Sequence, residues 1–275
     1  MPSPDAIPQL RADGYQVFLG QHPGAIMPVM NQFRPPLNNL KVRQALNYAI
    51  DREGTVALLN GAGAAAKQYV YEGHPNYVPD HPGYSYDPEK AKALLAEAGY
   101  KPGDLHLKFN YTTGGSGNMF PGPMMEKIQA DFKAVGVEVE IVPMEWNALI
   151  TVIIEGLSAP KWSDIDILWS SPAAGMTPTG YAFSHLCEFS AGVPNTGGYC
   201  NPKADEAYKA AAASFDVDQQ NTFLQEMNRI TLDDAAFLFW MQDLNLRVLA
   251  PEVHGYVQAK SWWVDFTTIS VSSKN

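Results

Sequence analysis

The sequence is first defined by what it lacks. No apolar run reaches about 18 residues, which excludes a helix able to cross a bilayer. Lys and Arg nowhere cluster, and 19 basic against 29 acidic residues leave a formal net charge of -10. Nucleic-acid phosphates demand the opposite balance, so no nucleic-acid partner is expected. There is no Gly-x-Ser-x-Gly elbow and no phosphate-loop Lys motif. Gly61-Ala62-Gly63-Ala64-Ala65-Ala66 matches a dinucleotide fingerprint in letters, but it follows a helical pattern rather than a strand. His74 and His81 lack metal-ligand helical spacing, and Asp233 and Asp234 point to different helix faces. No catalytic residue, metal or cofactor is expected. Charged-plus-apolar signal-peptide regions are missing from Met1 to Asp5, so either a signal has been removed or the chain begins inside a longer protein.

Cysteine is scarce, with two residues, Cys187 and Cys200. They flank a loop-like stretch containing Pro194-Asn195-Thr196-Gly197-Gly198. An exported pair this close is suited to a disulfide, whereas an intracellular pair would stay as separate buried thiols. Glycine and proline are plentiful, 22 and 21, and they are spread along the chain as in a fold with many tight connections.

The apolar periodicity supplies the elements. Residues 15–30 read as strand and loop, broken by His22-Pro23-Gly24 and Pro28. After Asn38 or Asn39, Val42, Ala45, Leu46, Ala49 and Ile50 fall on one helical face. Asp51 caps a second short helix ending at Gly61. Between Asp87 and Gly99 the cap, the Pro at the first helical position and the terminating Gly all agree on a helix. Strands are expected at 105–109, 137–142, 165–169, 237–241 and 246–249, and helices at 123–134, 145–155, 201–214 and 216–234. Alternation of the two predicts an α/β architecture with partly parallel pairing.

Several segments carry a resemblance. Asn31-Gln32-Phe33-Arg34-Pro35-Pro36-Leu37, Lys41 to Glu53, Tyr86 to Ala91, Leu94 to Tyr100, Gly198 to Pro202 with Asp205, and Val253-His254-Gly255-Tyr256 follow one another in the order seen in the family 5 solute-binding proteins. The chain resembles that family, which includes peptide- and nickel-binding components of ABC importers. The resemblance implies a periplasmic-binding-protein-like C-terminal lobe, a mixed sheet flanked by helices. It also implies a hinge or crossing segment over 1–30, the lobe itself over 31–250, and a return toward an N-terminal lobe over 251–275. Nothing in the sequence corresponds to that N-terminal lobe, so the chain is expected to be a fragment or a lobe whose mate comes from elsewhere.

The implied function is capture of a small solute or peptide, without catalysis, in a periplasmic or extracytoplasmic compartment. The implied partners are the N-terminal lobe and a membrane permease. Trp169 and Ser170 match the family's ligand-side loop, with an ordinary core role for Trp169 as the alternative. The acidic residue that pairs with a peptide's amino group in relatives is replaced by Ser170-Ser171-Pro172. Tyr111 and Thr112 follow a strand where α/β sheets present ligand loops, and Gly114 to Asn118 offers amides to an anion or is simply a flexible loop. Asn195 and Tyr199 match a segment near the cleft, or else belong to a loop tied by the cysteines. Arg34 is a candidate for a ligand carboxylate, or is a solvated surface group. Two other readings stand beside this one: a regulatory or sensory module reusing the binding fold, and a hydrolase acting through Ser116 or a carboxylate pair.

Overall fold

The computed structural model describes residues 2–20, 25–115, 120–171, 186–187, 195–259 and 263–272. In chain order the first elements are α1 (Ile7–Ala12), β1 (Gln16–Phe18), β2 (Ala25–Ile26), β3 (Val29–Met30), α2 (Leu40–Ala49), α3 (Arg52–Leu58) and β4 (Gly63–Ala65). Then come α4 (Pro88–Glu97), β5 (Leu105–Thr112), α5 (Pro121–Ala134), β6 (Val137–Met144), α6 (Trp146–Glu155) and β7 (Ile167–Leu168). The chain closes with α7 (Pro202–Ala213), α8 (Val217–Asp233), β8 (Met241–Asp243), β9 (Arg247–Leu249), β10 (Val253–His254) and β11 (Ser270–Val271).

Helix starts obey the caps read from the sequence. The side chains of Asn39, Asp51, Asp87, Asn201 and Asp216 each accept a backbone N–H of the following turn. Gly99 takes the left-handed conformation that ends α4, whereas α3 stops at Leu58 and its left-handed turn begins at Asn60 before Gly61. Other expectations needed adjustment. The segment 237–240 is fully buried but is not a strand, and regular pairing begins only at Met241. Pairing at 165–169 contracts to Ile167–Leu168. Helix α1 and strand β4 had no counterpart in the pattern reading.

Four strands form the main sheet in the order β3-β7-β5-β6, with β5 parallel to both neighbours and β3 antiparallel. Because β6 and β7 lie on opposite sides of β5, right-handed crossovers put α5 and α6 on opposite faces. Under α5, Leu105, Leu107 and Phe109 are buried. On the α6 side Asn110 and Thr112 are buried but His106 is exposed, so that face is covered only toward its C-terminal end. Below this cover lies an open hollow of about 350 Å³, lined by His106, Lys108, Glu138, Glu140 and Asp166 among others. Strand β6 forms one edge of the sheet.

Pro28, which has no N–H to donate, sits where the chain leaves a second sheet (β2-β8-β4) for the first. Two apolar cores result, one around the main sheet and one under the α7–α8 hairpin, where Tyr69, Phe237 and Phe239 pack. Strands β1 and β9 pair apart from both sheets, as do β10 and β11. Among the described residues no helix is long and apolar enough to cross a membrane.

Candidate functional site

In an open α/β sheet the loops beyond the carboxyl ends of parallel strands are where ligands are met, because the helices that follow turn back and leave a crevice there. In this chain that rim is built from the ends of β5, β6 and β7. Strand β5 delivers Tyr111 and Thr112, and Thr112 is fully buried with its Oγ1 donating to Gly114 O at 2.7 Å. Tyr111 is half-buried beside it, packed against the main core. Strand β6 delivers Met144, exposed Glu145 and half-buried Trp146, the first residue of α6. Strand β7 leads through Trp169 to Ser170 and Ser171, both half-buried. Met27 N donates to Ser170 O at 2.8 Å, which fixes the β2–β3 connection to the same rim.

Trp146 was not anticipated. Its ring lies against Gly115, whose φ of 97° only glycine adopts easily, and a Cβ there would collide with the indole. A glycine three residues after a strand and a Trp just after the next strand are the sequence signal, but only the fold brings them together. The stack fixes the β5–α5 loop as it leaves the strand. The Gly114 to Asn118 amide cradle and Ser116 lie largely outside the described residues: 116–119 carry no description.

The remaining candidates find protein partners. Trp169 is fully buried and meets Trp240 edge to face, ring centroids 5.6 Å apart, so no indole face is open to a ligand. Its Nε1 has no acceptor among the described residues, whereas that of Trp240 donates to Thr55 Oγ1 at 3.2 Å. Tyr199 is buried and its hydroxyl donates to Asp234 at 2.8 Å; burial, then the neighbouring carboxylate, pushes the phenol well above its ordinary value. Asn195 is turned inward, donating to Leu186 O and Tyr199 O and accepting from Gly198 N. Both residues therefore staple the cysteine loop. Cys187 and Cys200 are joined by a disulfide, and Gly197 lies against β3, with Gln32 N donating to Gly197 O at 2.7 Å. Arg34 sits at the opposite end of β7 from Ser170 and is spent on Ser163 O at 2.8 Å and Asp166 at 2.7 Å. Within this chain Asn195 and Tyr199 are thus bonded inside the loop and to Asp234, Arg34 is bonded to Ser163 and Asp166, and Trp169 packs on Trp240 with its Nε1 unpaired among the described residues. Tyr111 and Ser170 are partly exposed at the rim, and Thr112 is buried at the end of β5.

The family model described as "Bacterial extracellular solute-binding proteins, family 5 Middle" matches residues 1–193. Among curated proteins, heme-binding protein A of Haemophilus influenzae is 30% identical over 89% of this chain and 44% of its own length. The dipeptide-binding protein of Escherichia coli is 29% identical over 93% of this chain and 47% of its own. The chain therefore spans a little under half the length of these relatives. A solved dipeptide-binding protein from Pseudoalteromonas, in complex with Met-Leu, superposes with a TM-score of 0.83 at 25% identity, covering 98% of this chain and 53% of that one. The structure of HbpA2 from Haemophilus parasuis gives 0.82 at 25% identity, with 99% and 53% covered.

Proposed function

We propose, because the chain belongs to the bacterial extracellular solute-binding proteins of family 5, that it supplies one wall of a solute-binding clamp serving an ABC importer. The observation that carries this reading is the rim itself. Tyr111, Trp146 and Ser170 lie at or just beyond the carboxyl ends of the adjacent strands β5, β6 and β7, and each is only partly buried. A complete relative is about twice as long, and the other wall would come from the remaining length. Aromatic area from Tyr111 and Trp146, with polar contacts from Ser170 and Ser171, suits a small organic solute held by ring contacts and a few hydrogen bonds.

Relatives whose names specify peptides, glutathione or heme leave several solute classes open. Ser170-Ser171-Pro172 follows Trp169, so no carboxylate stands directly after that residue to anchor an ammonium group. Residues 1–30, through β1, and 251–275, through β10 and β11, would connect this lobe to its mate, since these strands pair outside both sheets. Catalysis is not part of the proposal, and an extracytoplasmic location accords with the disulfide. Closure of two walls stabilises the bound state only through contacts made on both. Isothermal calorimetry of this chain alone with dipeptides or glutathione is therefore expected to give a Kd weaker than about 1 μM. Submicromolar binding by the lone chain would overturn the half-clamp reading.

A further inference from the structure

Asp243 is the last residue of β8, and the chain leaves the lobe at this point to enter the β1–β9 ladder. It is 3% exposed and lies opposite Gly63 in the antiparallel pairing with β4. Its Oδ1 accepts the N–H of Asn245 at 2.7 Å, while Oδ2 has no partner among the described residues. Asn245 itself adopts a φ of 52°. The turn is held as well by Leu244 N to Ala62 O at 3.0 Å, Gly20 N to Leu244 O at 2.7 Å and Gln258 Nε2 to Asn245 O at 3.4 Å. A carboxylate has about four acceptor sites to satisfy, and one hydrogen bond is poor compensation for its lost hydration.

The surroundings offer little else. Strands β2 and β4, which flank β8, bring Ala25–Ile26 and Gly63–Ala65, none of them ionisable. Helix α3 packs on β8 with Arg52, whose guanidinium is spent on the carbonyls of Asn47, Ile50, Ala66 and Phe239, and with Glu53, which is exposed. Arg247, at the start of β9, exerts a weak attraction. Burial outweighs both the Asn245 amide and Arg247, and the Asp243 carboxyl is pushed up to about 6 from 3.8.

We propose that Asp243 is a proton-operated latch on the turn between β8 and β9, shut while its carboxyl is neutral and loosened when it ionises. The neutral acid rests in the buried turn. Ionisation sends the proton to solvent and leaves a carboxylate that only water can satisfy, so opening of 243–246 becomes more favourable. Calling this turn a hinge of the clamp rests on the proposed function. The test needs no solute, so failure of one idea leaves the other standing.

Amide hydrogen exchange between pH 5 and 7.5 is the experiment, with each rate referred to D243N at the same pH. Leu244 to Arg247 and Gly20 are expected to exchange faster by a factor approaching about 10, relative to the variant, at the upper pH, because part of the effect is already present at pH 5; amides around Phe109 should keep a constant ratio. About 100-fold is the ceiling for a shift of roughly two pH units. A constant ratio at Gly20 and Leu244 would overturn the latch. Should D243N fail to fold, carbon NMR of the native protein decides: a carboxyl titrating near pH 6, with the Gly20 and Leu244 amides shifting in step, supports it. Titration below about 4.5, or without those shifts, rejects it.

Discussion

Arg43 and Arg52 are buried cations, and among the described residues both guanidinium groups donate to backbone carbonyls rather than to a carboxylate. Arg43 donates to Leu37, Asp234 and Ala235, and Arg52 ties the end of α2 to Ala66 and Phe239. Burial lowers Arg52 to about 10, which still leaves it charged at neutral pH. Its five donors in a planar fork explain why lysine is a poor substitute. Arg52→Lys is expected to cost about 3 kcal/mol in urea unfolding, since several buried carbonyls lose their donor. His74 makes a different prediction. It is half-buried, its Nδ1 accepts from Asn76 N at 3.1 Å, and burial holds its pKa below 6.5. Folding therefore favours the neutral ring: the stability it contributes is complete above about pH 6.5 and declines as pH falls through the lower folded value. Thermal melts at pH 5 and 7 should show a smaller difference for His74→Gln than for the native protein. Asp243 acts with the opposite slope, losing stability as pH rises from about 4 to 6.

At the scale of elements, the cysteine loop carries the clearest prediction. The disulfide closes a sequence separation of 13 residues, and replacing both cysteines by alanine is expected to destabilise the fold by about 3 kcal/mol, measured by chemical unfolding. The rim should survive this change, because Gly197 and Thr196 are also bonded to Gln32 and to α6 through Ile153. Legibility of the elements followed the strength of local signals. Helix α4 was readable because Asp87, Pro88 and Gly99 punctuate it, and β5 and β6 because their apolar residues alternate. Strand β4 was not, since Gly63-Ala64-Ala65 has no alternation and is a strand only because β8 lies beside it. The same division holds at the site. Position after a strand pointed to Tyr111 and the family resemblance to Ser170, but the partners of Arg34, Asn195 and Tyr199 come from distant or compact loop contacts such as Asp166, 132 residues away, and Asp234, 35 away. Local pattern carries no trace of such bonds. Trp146 was overlooked because nothing in its own segment distinguishes a rim aromatic from a core one.

For the molecule as a whole, apolar exposure is uneven. Val257, Trp263, Phe266 and Val271 are 68–74% exposed, all on the C-terminal segment beyond the lobe's two cores. That placement fits a segment covered by further protein in the complete clamp. The hollow beside β6 is the counterweight. An eight-residue strand at the sheet's margin presents a row of backbone groups to which another chain could add. Here Glu138 and Glu140 line its open face and Pro143 withholds an N–H near its end. Removing the two charges, as in Glu138→Val with Glu140→Val, is expected to turn the lone lobe toward assembly, visible as a concentration-dependent rise in light scattering. The charges on that margin thus act as a fender, keeping identical chains from mooring to one another along β6.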